Sequence, residues 1–333
     1  MKSILLISNY KQGAGGISVQ VGMLRSSLSG MGYPVSIFDT GRGIRQKLRA
    51  TFRLRDEGRK YDVFHIHCCS GIGFFPAIIG IRAGRRLGKR VVLTYHGGGA
   101  EEFFSKHRKI VKRYLSRTDA NIVLSGFLGE IFDRYAIPYI VIPNIIRLNG
   151  DIYRERNEIK PDFISIRTLR PIYNVICIVK AFQTVKAQVC EATLTIAGDG
   201  ISRKELEQYV LDHQIKDVRF VGQVKNEDIY DFIDKADIMV SAARTDNMPV
   251  SVLEGFNAGV LVIASNVGGV PYMIEDGVNG YLFRDDDADE LADKMMSAIM
   301  QPDNSIRMIH EAHASLGQYS EEAVISRITE LYR

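Results

Sequence analysis

Asp246 and Glu254, eight positions apart with Pro249 between them, are the residues of this chain best spaced for chemistry. They open a stretch, residues 245–283, that reads TDNMPVSVLEGFNAGVLVIASNVGGVPYMIEDGVNGYLF. Proline is tolerated in a first helical turn because its missing N–H would have no partner there. The spacing therefore predicts Asp246 just outside a helix start and Glu254 inside the helix, two turns along. Gly259 supplies the stop, LVIAS reads as a buried strand, and Gly268, Gly269 and Pro271 open another helix. Helix starts carry unpaired N–H groups and the positive end of a dipole. Two of them in succession, with glycines that let backbone come close, suit a diphosphate, and the carboxylates are left to meet hydroxyls. The plainer reading of the two acids alone is a capping Asp followed by a solvated helix face.

A second group of reactive side chains lies earlier. KRVVLTYH ends a predicted strand at His96, which opens the glycine loop HGGG and so has backbone beside it that a ligand can approach. HGGG also occurs as an esterase oxyanion loop, but no G-x-S-x-G accompanies it here, and that reading is set aside. His65 and His67, in YDVFHIH, would begin a metal site only with a third ligand at metal-like spacing; none is present, so a structural role is expected. Near the start, Gly13 and Gly15 fit the first positions of G-x-G-x-x-G and Asp39 closes the next strand, yet Ser18 holds the third glycine position. That imperfect fingerprint is all that supports a nicotinamide oxidoreductase.

The elements that must position these residues are legible as alternating strands and helices. SILLIS, VSIFD, YDVFHIH, KRVVLTYH, DANIVLS and PYIVIP are strands in the first half, and FISIR, ATLTIAG, VRFVG, DIMVSA and LVIAS in the second. Alternation of this kind builds parallel sheets, whose sites form at the carboxyl ends of strands. A polar stretch without periodicity after VIPN is the candidate linker. The predicted organisation is a first domain over 1–145, a linker over 146–161, a second domain over 162–315 and a terminal segment over 316–333. In that last segment Ala323, Ile325, Ile328 and Leu331 or Tyr332 recur at helical spacing.

A chain of 333 residues, 46% hydrophobic and 25% charged, has the size and composition of a folded two-domain protein. MKSILLIS is too short an apolar run for a signal peptide and no window approaches a membrane span, so a cytoplasmic protein is expected. Cys68, Cys69, Cys177 and Cys190 show no C-x-x-C spacing and read as reduced thiols. The small net charge hides an asymmetry. Residues 1–150 hold 24 Lys and Arg against 9 Asp and Glu, and the remainder 19 against 30. A basic first half implies an anionic partner. Between Arg42 and Lys60 eight basic residues surround Ile44, Leu48 and Phe52, spaced as one helical stripe that either packs on the sheet or lies on an anionic membrane. Clusters at 82–90 and 106–117 add to the charge, and no aromatic-interleaved platform points to nucleic acid.

The segment from Asp246 to Phe283 resembles the signature of the retaining nucleotide-sugar glycosyltransferases of the GT-B fold, family four type: an acid, seven residues, Glu, a small residue, Gly, an apolar strand and Gly-Gly. Here Asp246 stands where most members have Glu. The resemblance spans nearly the whole chain and is strongest over 166–283. It implies an α/β protein of two Rossmann-like parallel-sheet domains facing across a cleft, the last helix crossing back onto the first domain. It further implies transfer of a hexosyl group, with retention, from a nucleotide-diphosphate sugar to a glycan or lipid-linked acceptor in surface-polysaccharide synthesis. His96, Asp246 and Arg167 are the catalytic residues it implies. Gly15, Gly16, Arg167, Gly198, Gly222, Asn247, Met248 and Glu254 are the donor-binding ones, with Glu254 on the ribose.

In the resembled family a Lys beyond the Arg helps clamp the phosphates, whereas RTLRPIYN places Tyr173 there and leaves Arg170 or Arg244 as substitutes. No metal and no cofactor are expected, because no Asp-x-Asp acid cluster is read in the chain. The basic first domain implies an anionic membrane surface as a further partner, with peripheral attachment at the inner face. An epimerase or phosphorylase of the same fold, or a non-catalytic sugar-nucleotide-binding protein, are the alternatives.

Overall fold

A computed structural model of the chain describes all residues except 12–15, 42 and 149–151, and the side chains of Ile44 and Asn226. It divides into two compact units, Met1–Arg147 with Gln318–Arg333, and Leu148–Gly317.

The first unit is built on β1 (Ile4–Ser8), β2 (Val35–Asp39), β3 (Val63–Cys68), β4 (Arg90–Tyr95), β5 (Ala120–Val123) and β6 (Ile140–Val141). They form one parallel sheet in the order β2-β1-β3-β4-β5-β6. Strand side chains alternate between faces, and both faces are covered. Leu5, Ile7, Phe64, Ile66, Val91 and Leu93 pack under α2 (Ile44–Glu57), α3 (Phe75–Arg86), α4 (Ala100–Leu115) and α5 (Gly126–Arg134). Ile4, Leu6, Val63 and Val92 face α1 (Gly16–Gly30), whose Val21, Leu24 and Leu28 form a buried stripe at helical spacing.

The second unit repeats the plan with β7 (Asp162–Ile166), β8 (Thr193–Ala197), β9 (Val218–Gly222), β10 (Ile238–Ser241), β11 (Leu261–Ser265) and β12 (Tyr281–Phe283). Their order is β12-β11-β10-β7-β8-β9, again parallel throughout. Helices α6 (Val175–Gln188), α7 (Arg203–Asp212), α10 (Ala288–Met300) and α11 (Pro302–Ala314) carry one buried cluster with Phe163, Leu194, Ile196, Val240 and Ile263. The connections between β9 and β11 contain α8 (Ile229–Ile233) and α9 (Val250–Ala258); Gly255 of α9 rests on Val262 and Met239, from the other sheet face. The final helix, α12 (Glu321–Glu330), starts at the Ser320 cap and sets Val324, Ile325, Ile328 and Tyr332 into the α1 side of the first unit.

Four features depart from the sequence reading. First, β12 was not foreseen: three residues at a sheet edge give too short a pattern to register. Second, Gly268, Gly269 and Pro271 open only a single 3-10 turn, Val270–Tyr272, so one α-helix start, not two, follows β10 and β11. Third, residues 152–161 pack into the second unit. Arg156, 4% exposed, donates through Nε to Asp237 (2.9 Å) and through Nη2 to the Ala236 carbonyl (2.8 Å), while Arg154 holds the same Asp237 carboxylate at 2.7 Å. Fourth, the stripe Leu48 and Phe52 does not pack on the sheet. α2 buries Ala50 and Leu54 instead, and Leu48 and Phe52 are 61% and 73% exposed.

Candidate active site

In the second unit the carboxyl ends of neighbouring strands bring the predicted residues together. β7 ends one residue before Arg167, β10 ends at Ser241, and the loop after β10 carries Asp246. Arg167 Nη2 lies 2.9 Å from Asp246 Oδ2, and the two side chains are only 13% and 17% exposed. Arg167 also donates to Ser241 Oγ, from Nε at 3.4 Å and Nη2 at 3.3 Å. Its guanidinium covers the Tyr173 ring at 5.3 Å from the centroid. Tyr173, which replaces the expected Lys, thus removes one positive charge and braces the remaining one through its π face.

Neither proposed substitute for that Lys is placed alike. Arg244 is committed to Asp286, with Nη1 and Nη2 each 2.9 Å from a carboxylate oxygen; Arg170 is exposed, and no ion pair involves it among the described residues.

The glycines serve close approach of strand ends to one another. At Gly198 (φ +154°) a Cβ would stand 1.8 Å from the Arg167 carbonyl oxygen, so only glycine lets β8 close beside the arginine. At Gly268 (φ +54°) a Cβ would stand 2.0 Å from the Asp246 carbonyl oxygen, which accepts from Gly269 N at 3.0 Å. The Gly-Gly pair therefore fixes the Asp246 loop. Gly222 accepts from Gly198 N at 2.8 Å and belongs to the same rim. Asn247 and Met248 are buried, 2% and 6% exposed, and Asn247 N donates to Asp246 Oδ1 at 2.8 Å. That amide is thereby engaged by the acid beside it.

Pro249 stands just before α9, and Glu254 is the fifth residue of the helix, little more than one turn in rather than two. Gly259 closes α9 in the left-handed conformation, φ +68°. The Glu254 carboxyl is half-buried and makes no hydrogen bond or ion pair among the described residues. Burial raises its pKa to about 7, against the pull of the Arg167 charge. A desolvated carboxylate with its acceptor capacity unspent is suited to paired hydroxyl donors.

His96 and Gly16 belong to the first unit. His96 follows β4 and its amide donates to the Cys68 carbonyl at 2.8 Å. Its Nε2 lies 3.0 Å from His67 Nδ1, an arrangement the sequence reading missed by giving His67 only a structural role. The signal was present: His65 and His67 share a strand face, and β3 pairs His67 with Thr94, two residues before His96. His65 is satisfied on both nitrogens, by Tyr332 Oη (2.6 Å) and Thr94 Oγ1 (2.8 Å). His67 Nε2 is buried with no hydrogen-bond partner, and His67, Thr94, His96, Gln20 and Asn144 line a cavity of about 20 Å³. Burial lowers all three imidazoles, His65 to about 3 and His96 to about 4, so they stay neutral at ordinary pH. Gly16 opens α1 with nothing near the place of a Cβ. Gly15 lies outside the described residues.

Among the described residues no three His, Cys, Asp or Glu are grouped to hold a metal ion. The run Asp285, Asp286, Asp287 does have the Asp-x-Asp spacing that the sequence reading passed over. Two of its three members are occupied structurally: Asp286 holds Arg244 and Asn174 (2.9 Å), and Asp287 caps α10 by accepting from Glu290 N at 2.9 Å.

Comparison with known proteins agrees with the fold. Residues 152–318 match the family described as Glycosyl transferases group 1, and residues 14–149 match Glycosyltransferase Family 4. The chain is 27% identical over 289 residues to N-acetyl-alpha-D-glucosaminyl L-malate synthase of Bacillus anthracis, covering 81% of this chain and 74% of the relative. It is 31% identical over 247 residues to the amylovoran biosynthesis glycosyltransferase AmsK of Erwinia amylovora, 69% of this chain and 60% of that one. The structure of Anabaena HepE in complex with UDP-glucose is similar in fold, with TM-score 0.82 over 99% of each chain at 17% identity. Two parallel Rossmann-like sheets and a family match over half the sequence give one conclusion: the chain belongs to the group 1 glycosyl transferases and is a family-four-type glycosyltransferase of the GT-B fold.

Proposed function

We propose that this enzyme moves a hexosyl group from a nucleotide-diphosphate sugar to a glycan or lipid-linked acceptor, with retention at the anomeric carbon, in the synthesis of a cell-surface polysaccharide. The observation that carries the reading is the Arg167 guanidinium, fixed at a strand end by Asp246, Ser241 and Tyr173, with the unspent Glu254 carboxyl in its field. A cation already held in place stabilises a departing diphosphate without reorganising when the bond breaks.

In the reaction proposed, the bond from the anomeric carbon to the diphosphate oxygen breaks and its electron pair leaves with the phosphate. The acceptor hydroxyl forms the new bond on the same face of the sugar, and its proton passes to the departing oxygen. Arg167 meets the phosphate charge, and the start of α9 adds to it. Glu254 takes the ribose hydroxyls. Asp246 and the neutral His96 orient the sugar as positive charge grows at its ring. Gly16 at the start of α1, and Gly198 and Gly222 at the ends of β8 and β9, give the donor room, and the scheme assigns no step to a metal or cofactor. This reading has the enzyme work in the cytoplasm, peripheral at the inner face of the plasma membrane. The AmsK relative, named for amylovoran biosynthesis, supports the polysaccharide assignment.

A thermal-shift panel of UDP-, GDP- and ADP-sugars finds the donor, since a ligand that binds only the folded state raises the melting temperature with its affinity. UDP-glucose is the first probe because HepE was solved with it. Transfer by wild type, Glu254→Ala and His96→Ala is then followed by NMR of the product anomer. The expected result is an axial product from an axial donor, and loss of transfer in both variants. An inverted product overturns retention, and conversion of donor without acceptor replaces transfer by epimerisation. Equal rates in all three proteins overturn the site.

A further inference from the structure

The excess positive charge of the first unit is concentrated on one face. α2, α3 and α4 lie together over one side of the sheet, sharing the cluster of Ala50, Leu54, Ala77, Phe104 and Leu115. These three helices carry 13 Lys and Arg against 4 Asp and Glu. α1 and α12, on the opposite face, carry 2 against 3.

Two features stand out on the basic face. The first is a groove of about 750 Å³ lined by Arg82, Arg85, Arg86, Arg113, Tyr114 and Arg117. Arg85 is spent on Asp119, at 3.0 Å. The side chains of Arg82, Arg86, Arg113 and Arg117 make no ion pair among the described residues, so four guanidiniums point their charge at one concavity with no acid to neutralise it. The second is on α2. Leu48 and Phe52, one turn apart, are 61% and 73% exposed, while the helix is anchored by Ala50 and Leu54 on roughly its opposite side. Arg45, Arg49 and Arg55, all exposed, flank the outward pair. Ile110 of α4, 46% exposed among Lys106, Lys109 and Arg113, repeats the pattern.

We propose that the α2–α3–α4 face docks on a bilayer containing anionic phospholipid, with the arginine groove taking phosphate headgroups and Leu48 and Phe52 entering the acyl boundary. The apolar pair decides the occupant. A soluble phosphate or a nucleic-acid backbone would engage the arginines but leave two large side chains in water, whereas a membrane surface satisfies charge and apolar area together. The docking itself is independent of the transfer reaction. Only its use, bringing a lipid-linked acceptor to the enzyme, rests on the function proposed above.

Sedimentation with vesicles of phosphatidylcholine alone, or of phosphatidylcholine with phosphatidylglycerol, tests it at low and high salt. The full chain should pellet only with the anionic vesicles, and less at high salt. Replacing Arg82, Arg86, Arg113 and Arg117 by Gln should weaken binding about fivefold per charge removed. Leu48→Ser with Phe52→Ser should weaken it by roughly tenfold or more while leaving the salt dependence unchanged. All six residues lie at the surface, so unchanged melting temperatures serve as the folding control.

The chain contains no tryptophan, which makes Phe52→Trp a single fluorophore for insertion. A blue shift on adding anionic vesicles is expected; unshifted emission overturns insertion. The proposal also falls if vesicle composition makes no difference, if the serine variant binds like wild type, or if RNA or inorganic pyrophosphate is held where vesicles are not. Protein that docks on vesicles yet binds no nucleotide sugar would refute the proposed function and leave the docking face standing.

Discussion

Arg167 Nη2 and Asp246 Oδ2 are 2.9 Å apart, so the residue assigned to the leaving phosphate and the acid assigned to the sugar are each other's partner. A diphosphate bound at Arg167 as proposed would compete with Asp246 for the guanidinium. Asp246→Asn should therefore keep or tighten binding of the nucleoside diphosphate while slowing transfer. Arg167→Ala should weaken that binding by roughly 10- to 100-fold, the range for a lost charged hydrogen bond. Arg167→Lys should recover little of it, because an ammonium cannot bridge Ser241 and Asp246 while lying flat on Tyr173. Titration calorimetry of the three variants checks this; full recovery by lysine would show that charge alone matters.

Glu254 connects binding to pH. Its pKa is raised from 4.5 to about 7 by burial, so the folded protein holds this proton more tightly than the unfolded chain does. The stabilisation from that proton is complete below 4.5 and is lost as pH rises through about 7. Glu254→Gln should then stabilise the protein at alkaline pH by on the order of 2 kcal/mol. In the role proposed for Glu254, the charged form accepts from two ribose hydroxyls. Donor affinity of the wild type should rise with pH through neutrality, and that of the glutamine variant should be weaker and flat. Calorimetric titration and thermal melts across this window measure both, and a flat wild-type affinity would remove Glu254 from the ribose.

Arg156 gives a stability prediction away from the chemistry. It is 4% exposed and holds Asp237, 5% exposed, together with the carbonyls of Ala236, Ala258 and Gly259. Removing one partner of a buried pair leaves the other uncompensated, at about 3–5 kcal/mol. Because Arg154 also reaches Asp237, Arg156→Ala should fall near the lower end. Thermal unfolding should show a clear loss of melting temperature with nucleotide binding retained in the folded fraction. An unchanged melting temperature would mean that Arg154 alone suffices.

Much of this was legible in the sequence because it rests on local rules. Apolar runs such as LVIAS and ILLIS can hardly be anything but buried strands, and Gly259 ends α9 in the left-handed turn that its residue type predicts. What was not legible depends on which neighbour a residue meets. The spacing of Leu48 and Phe52 shows a helix face without saying whether protein lies behind it, and in the fold Ala50 and Leu54 take that role. Gly268 and Gly269 announced a close backbone approach, but the approaching group is the Asp246 carbonyl, a contact between two loops that no spacing encodes. Tyr173 looked like a lost charge until Arg167 was found lying on its ring.

The pair His67 and His96 carries the last prediction. One proton lies between His67 Nδ1 and His96 Nε2 at 3.0 Å, so fixing the tautomer of one imidazole fixes the other, and His96 presents Nδ1 either as donor or as acceptor accordingly. Both rings are neutral, because burial lowers their pKa values, that of His96 to about 4. A histidine with a depressed pKa gives stability that is present above its ordinary value of 6.5 and is lost as pH falls toward the folded value. Wild type should therefore lose melting temperature between about pH 6.5 and 4, and His67→Gln, with one such group fewer, should lose less. A positioning role for His67 adds that the glutamine variant keeps its nucleotide affinity while kcat falls by about tenfold, the cost of a group that can take either tautomer. Nitrogen NMR of the imidazoles gives the direct reading: one protonated and one bare nitrogen facing each other in wild type, and a tautomer mixture at His96 in the variant. If kcat, tautomer and acid stability are all unmoved by His67→Gln, the two rings are neighbours without being partners, and His96 is oriented by the Cys68 carbonyl and its glycine loop alone.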